Sequence, residues 1–85
     1  MNAPPGDAAA RTLTLLGRRA PDATLCPSEV ARSLAGTDGD WRARMPMVHE
    51  AVARLVAAGQ VRLSWQGAPR DVGDGPYRIG RSEPG

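Results

Sequence analysis

The residues of this chain that could do chemistry are few and far apart in the sequence. There is one cysteine, Cys26, and one histidine, His49. A thiol beside a helix start can serve as a nucleophile or redox group, but no second cysteine is present to resolve an oxidised sulfur. His49 has no nucleophile or metal-ligand cluster near it in the sequence. The sequence therefore predicts no catalytic residue, no metal site and no cofactor, and a protein that is not an enzyme.

Cys26 itself has two interpretations. A helix beginning at Pro27 would place its positive end beside the sulfur and favour the thiolate. Glu29, one turn further on, opposes that charge, and a small buried side chain at a strand-to-helix junction explains Cys26 equally well. We predict an unreactive thiol at neutral pH.

The arginines supply the second kind of candidate chemistry, which is contact with nucleic acid. All 11 basic residues are arginines, and they face 9 acids for a net charge of +2. Arginine binds phosphates and guanine edges, and several arginines fall on a predicted third helix and a predicted C-terminal hairpin. The sequence predicts these nucleic-acid contacts: Arg42, His49, Arg54, Arg62, Arg70 and Arg78.

Other residues weaken this prediction. Glu50 lies in the middle of the outward face of the third helix and forms an ordinary i,i+4 pair with Arg54. Asp71 and Asp74 dilute the charge of the hairpin. Two functions stay open: binding of double-stranded DNA with a transcription-related role, and a protein–protein interaction module, with an unidentified partner, that does not bind nucleic acid.

Three helices must position these groups. The first is expected from Asp7 to Pro21. Its predicted buried face consists of Ala9, Leu13, Leu16 and Ala20. A short β-like segment at Thr24 and Leu25 precedes the second helix, which starts at Pro27 and ends at Gly36. Its predicted buried face consists of Val30, Ala31 and Leu34.

The third helix has the clearest apolar periodicity in the chain. Pro46 interrupts it, because its ring would clash with the carbonyl of Arg42. We therefore expect either a kink or a separate turn over residues 41–44, followed by a main helix from about Met45 to Gly59. The predicted buried face consists of Trp41, Met45, Val48, Val52 and Leu55.

The rest of the chain reads as a β-hairpin. Val61, Leu63 and Trp65 alternate with polar residues, residues 66–76 are turn-forming, and residues 77–80 form a short returning strand. The fold class is therefore α+β: a small winged helix-turn-helix with three helices, a short strand and a C-terminal β-hairpin wing.

Length and composition limit the organisation. A chain of 85 residues forms one domain, expected at residues 7–80 between a flexible N-terminus at 1–6 and a flexible C-terminus at 81–85. No apolar run reaches the roughly 20 residues of a membrane span. A single cysteine fits a reducing cytoplasm. With no long helix for dimerisation, we expect a monomer or a weak dimer.

Four stretches resemble a bacterial family of short winged-helix-like proteins, which is known as domain of unknown function 3253. They are CPSEVARSL, DWRARMPMV, RLVAAGQVRL and GPYRI, and the resemblance extends from about Leu13 to Ile79. It implies the fold and no established activity. Members of the family tend to have a Gln-Lys-Gly turn after the second strand, whereas this chain has Trp65, Gln66 and Gly67, and so has one basic residue fewer in the wing.

Overall fold

The computed structural model describes residues 5–37, 39–70 and 75–82. Most of the expected flexible ends, at 1–6 and 81–85, lies outside this part of the chain. The elements are helix α1 (Pro5–Gly17), strand β1 (Thr24–Leu25), helix α2 (Pro27–Ala35), the short 3-10 helix η1 (Arg42–Arg44), helix α3 (Met45–Ala57), and strands β2 (Val61–Trp65), β3 (Ala68–Arg70) and β4 (Arg78–Arg81).

The predicted buried face of helix α1 is confirmed at Leu16 but not along its whole length. Leu13 is 38% exposed and Ala20 is also exposed, so the predicted face was wrong at both positions. The buried face uses Ala8, Thr12 and Leu16. Thr12 is tolerated in the core because its hydroxyl donates a hydrogen bond to the carbonyl of Ala8 at 2.8 Å. The helix ends at Gly17, which leaves Ala20 beyond its last turn.

Helices α2 and α3 follow the sequence prediction closely. Val30 and Ala31 are fully buried in α2. The chain turns through η1 before α3 begins at Met45, which places Pro46 in the first turn, where a missing N–H costs no helical hydrogen bond. Gly59 ends α3 with a φ of 73°. Hydrogen bonds from Gly59 N–H to the Val56 carbonyl and from Gln60 N–H to the Leu55 carbonyl complete the C-terminal cap.

The antiparallel sheet has four strands, one more than the short first strand and two-stranded hairpin that the sequence predicts. Its order is β1-β4-β2-β3, and β3 lies within the stretch predicted to be turn. Gln66 and Gly67, with φ values of 53° and 84°, form a two-residue turn between β2 and β3. Pro69 lies in β3, which is an edge strand, where the N–H that proline lacks is not needed for pairing.

One face of the sheet packs against the helices and forms the core. Leu25, Leu63 and Ile79 share this face through the pairs Leu25–Ile79 and Leu63–Ile79. They are buried together with Val48 and Val52 of α3. The protein is thus α+β, with three helices, a short first strand and C-terminal antiparallel strands. This arrangement is consistent with a winged helix and confirms the predicted fold class.

Candidate functional site

A groove of about 370 Å³ opens where α2, α3 and the hairpin region meet. The start of α2 forms one side, Met45 and His49 of α3 form another, and the end of β2 with the residues before β4 forms the third. The described residues that line the groove are Cys26, Pro27, Ser28, Met45, His49, Trp65, Gly75, Pro76 and Tyr77. Three of the four stretches named in the sequence analysis contribute to it.

His49 and Tyr77 join two walls of this groove. A hydrogen bond of 2.6 Å connects Nδ1 of His49 to the phenol oxygen of Tyr77, and the two rings meet edge to face. Tyr77 is 3% exposed, and burial raises its pKa to about 12. The phenol is therefore neutral throughout the physiological range. Because Nδ1 is engaged, Nε2 is the imidazole nitrogen left to meet another group.

Cys26 lies at the start of α2 with a guanidinium beside its sulfur. Nη1 of Arg78 donates to Sγ at 2.9 Å, while Arg78 also donates to the hydroxyl and the carbonyl of Thr24. Glu29 accepts the backbone N–H of Cys26 at 2.7 Å and the guanidinium of Arg19 at 2.6 Å. The acid expected to oppose a thiolate is thus paired with Arg19 and with the backbone of Cys26, and the low reactivity of Cys26 stays a prediction.

The environment of Glu29 also affects its protonation. Partial burial alone would raise the pKa of this carboxyl. The hydrogen bond from Cys26 N–H, the hydrogen bond and charge of Arg19, and the charge of Arg78 outweigh that effect, so the pKa lies below its ordinary value. Glu29 therefore stays ionised at neutral pH and holds the start of α2 in place.

A second feature lies at the start of α3. The guanidinium carbons of Arg32 and Arg42 lie 4.7 and 4.6 Å from the ring centroid of Trp41, a distance typical of cation–π contacts. Arg44 follows in η1. Trp41 is only partly buried, packed against the edge of the core, although the sequence places it on a fully apolar stripe. We call Arg32 and Arg42, which contact Trp41, together with the neighbouring Arg44, the arginine surface.

The structure distributes the other predicted contact residues over several environments. Arg54 pairs with Glu50 at 2.9 Å, as predicted. Arg78 is partly buried and turns toward β1, whereas Arg62 is exposed. Arg70 is partly buried close to Gly75, where an added β-carbon would lie 2.5 Å from its Nη2. The six predicted residues therefore lie in different environments, and their role as nucleic-acid contacts stays a prediction.

Sequence reasoning missed two parts of these sites. Arg32 lies on α2, nine residues before Trp41, and no local pattern connects the two. The groove unites residues as distant in sequence as Cys26 and Tyr77, although each occurs in one of the four stretches that resemble the family.

Within residues 5–37, 39–70 and 75–82, no three His, Cys, Asp or Glu side chains form a metal-binding group. Over the same residues, no helix is long and apolar enough to cross a membrane.

Comparison with known families agrees with the resemblance noted from the sequence. The family model described as "Protein of unknown function (DUF3253)" matches residues 6–82, which is nearly the whole chain. The chain therefore belongs to this family. No curated protein matches it.

Proposed function

We propose that this domain binds double-stranded DNA, with the arginine surface at the start of α3 contacting phosphates. One observation carries the proposal. The guanidinium groups of Arg32 and Arg42 lie over the Trp41 ring and Arg44 follows in η1, and within the described residues none of these three arginines donates a side-chain hydrogen bond to a carboxylate. Their charge is thus available to an anionic partner.

The position of the arginine surface suits this role. In winged-helix and helix-turn-helix proteins, the N-terminal residues of the recognition helix approach the major groove. Here that helix is α3, and the arginines immediately precede it or face its start. Contact with the Trp41 ring does not pair Arg32 or Arg42 with a carboxylate, so their N–H groups can donate to phosphate oxygens.

The acids near this surface limit its strength. Oδ1 of Asp40 accepts the backbone N–H of Arg42 at 3.1 Å, and Glu50 neutralises Arg54 one turn into α3. With only three arginines in the arginine surface, binding is weak and strongly dependent on salt. This profile matches a sequence-tolerant DNA contact better than a high-affinity regulator.

A protein–protein interaction module is the second candidate. Two observations favour it: the exposed face of α3 carries the neutral Glu50–Arg54 pair, and Arg78 is directed to Thr24 and Cys26. Under this alternative, the groove accepts an apolar side chain of the partner, and the arginine surface contributes no duplex affinity.

Replacing charges at the arginine surface separates the two candidates. The variant Arg42→Gln/Arg44→Gln should bind labelled duplex about tenfold or more weakly than wild type at low salt. Arg18→Gln, at an exposed arginine just beyond α1, is the control for loss of charge alone and should change affinity by about twofold or less per charge. Equal effects per charge in the two variants would reject a specific role for the arginine surface.

A further inference from the structure

We infer that the groove holds one unpaired nucleobase of a DNA strand whose phosphates contact the arginine surface. This inference rests on the proposed function. The inference specifies which part of the nucleic acid the groove recognises. The arginine surface alone does not specify this. The groove lies beside α3 and the hairpin, the two elements that face DNA in winged-helix proteins.

The lining of the groove matches the chemistry of a base. A base has flat apolar faces and polar edges. Trp65, Met45 and Pro76 supply apolar surface, while Ser28 and the Nε2 atom of His49 supply hydrogen-bonding groups. A volume of about 370 Å³ is near the lower end of the roughly 300–1,000 Å³ of small-molecule sites. The groove is therefore sized for one base rather than a longer segment.

The charges next to the groove favour a nucleotide over an apolar protein side chain. Arg44 immediately precedes Met45, and Arg78 donates a hydrogen bond to the sulfur of Cys26, so both arginines are next to residues that line the groove. A base inserted there has its phosphate within the reach of an arginine, whereas an apolar side chain has no charge to offer.

Trp65 is the residue that makes this inference testable. It lies at the end of β2 and lines the groove. Stacking on an aromatic ring tolerates every base, because each base has a π-face. A base paired within a duplex cannot enter, while an unpaired base enters at a small cost. The groove therefore predicts a preference for DNA that contains an unpaired nucleotide, whatever its sequence.

The test compares a labelled 20-bp duplex with the same duplex carrying one bulged nucleotide, by fluorescence anisotropy at low salt. Wild type should bind the bulged duplex about tenfold more tightly. Trp65→Leu should lower this preference to about twofold or less and leave affinity for the intact duplex unchanged. Trp65→Phe should retain most of the preference, because it keeps an aromatic face. Gln66→Asn, at the neighbouring exposed turn residue, is the control and should behave as wild type.

The outcomes distinguish this inference from the proposed function. If intact duplex binds but the bulge adds no affinity, or if Trp65→Leu keeps the full preference, the base-binding groove is rejected and duplex binding stands. If neither DNA binds, both proposals fail. Should Trp65→Leu prove unfolded by thermal melting, Trp41→Phe makes Trp65 the only tryptophan, and each DNA is added until anisotropy shows saturation, because Trp41 also contacts arginines of the arginine surface. Its fluorescence must then be quenched by the bulged duplex and not by the intact one, and any other result overturns the inference.

Discussion

Nδ1 of His49 and the phenol oxygen of Tyr77 lie 2.6 Å apart, which ties helix α3 to the residue that precedes strand β4. These residues are 28 positions apart in the sequence. Their contact fixes how the helix next to the arginine surface sits against the hairpin region. The geometry of the groove therefore depends on a polar contact between elements as well as on apolar packing.

The protonation of Tyr77 gives the first prediction. The chain has a single tyrosine, so its ionisation can be followed by tyrosinate absorbance. Burial raises the pKa to about 12 from the ordinary 10.0, and the native protein should ionise accordingly late. Above pH 10 the unfolded chain loses this proton first, so the free energy of unfolding should fall as pH rises from 10 toward 12. An absorbance midpoint near pH 10 in the folded protein would contradict the burial.

The pairing of Glu29 predicts the opposite pH dependence in acid. Its pKa in the folded protein lies below the ordinary 4.5, so its stabilisation is present above pH 4.5 and is lost as pH falls through the folded pKa. Glu29→Gln should cost about 1 kcal/mol at pH 7 and show a smaller loss of stability in acid. Glu50→Gln, which removes a more exposed ion pair, is the control and should change stability by less than about 0.5 kcal/mol. Equal effects of the two substitutions in urea unfolding would count against the role of Glu29.

Trp41 combines packing with contacts to two arginines. Trp41→Ala should lower the free energy of unfolding by about 3 kcal/mol, at the low end of the range for large aromatic residues because the ring is only partly buried. Arg32→Gln should cost about 0.5 kcal/mol through loss of one cation–π contact. Urea unfolding of both variants checks these values. A cost below about 1 kcal/mol for Trp41→Ala would show that the ring does not support the start of α3.

Two glycines should respond to alanine in opposite directions. Gly59 has a φ of 73° at the end of α3, so Gly59→Ala should destabilise the protein by about 1 kcal/mol. Gly17 has no positive φ, and an added β-carbon meets no atom within 4 Å. Gly17→Ala should therefore stabilise α1 by about 0.5 kcal/mol. Thermal unfolding of the two variants shows directly whether the two stability changes have opposite signs. Destabilisation by Gly17→Ala would contradict the position at which α1 ends.

Local patterns predicted the elements where apolar spacing and terminal signals agree. Pro46 and Gly59 correctly bounded α3 because each acts on the backbone of its own segment. Strand β3 was missed because Gln66-Gly67 is a weaker turn signal than Asn-Gly, and because Pro69 argues against a strand unless the strand is at an edge. Edge position follows from the order of the whole sheet, which is not a local property.

The sites were less predictable than the elements. Arg54 was correctly paired with Glu50 because the i,i+4 relation is fixed by helix geometry. Arg78 was expected in the wing, yet its side chain reaches Thr24 and Cys26, 54 and 52 residues away. Contacts of that kind depend on strand register, and alternation within one strand cannot reveal them.

The salt dependence of duplex binding by the wild-type protein tests the central proposal most directly. Titration of a labelled duplex between about 50 and 200 mM salt should give a slope of log K against log salt of about −3, the value for three phosphate contacts by Arg32, Arg42 and Arg44. Arg44→Gln should make the slope shallower by about one. Undetectable binding at 50 mM salt, or a slope near zero, would contradict DNA binding by the arginine surface.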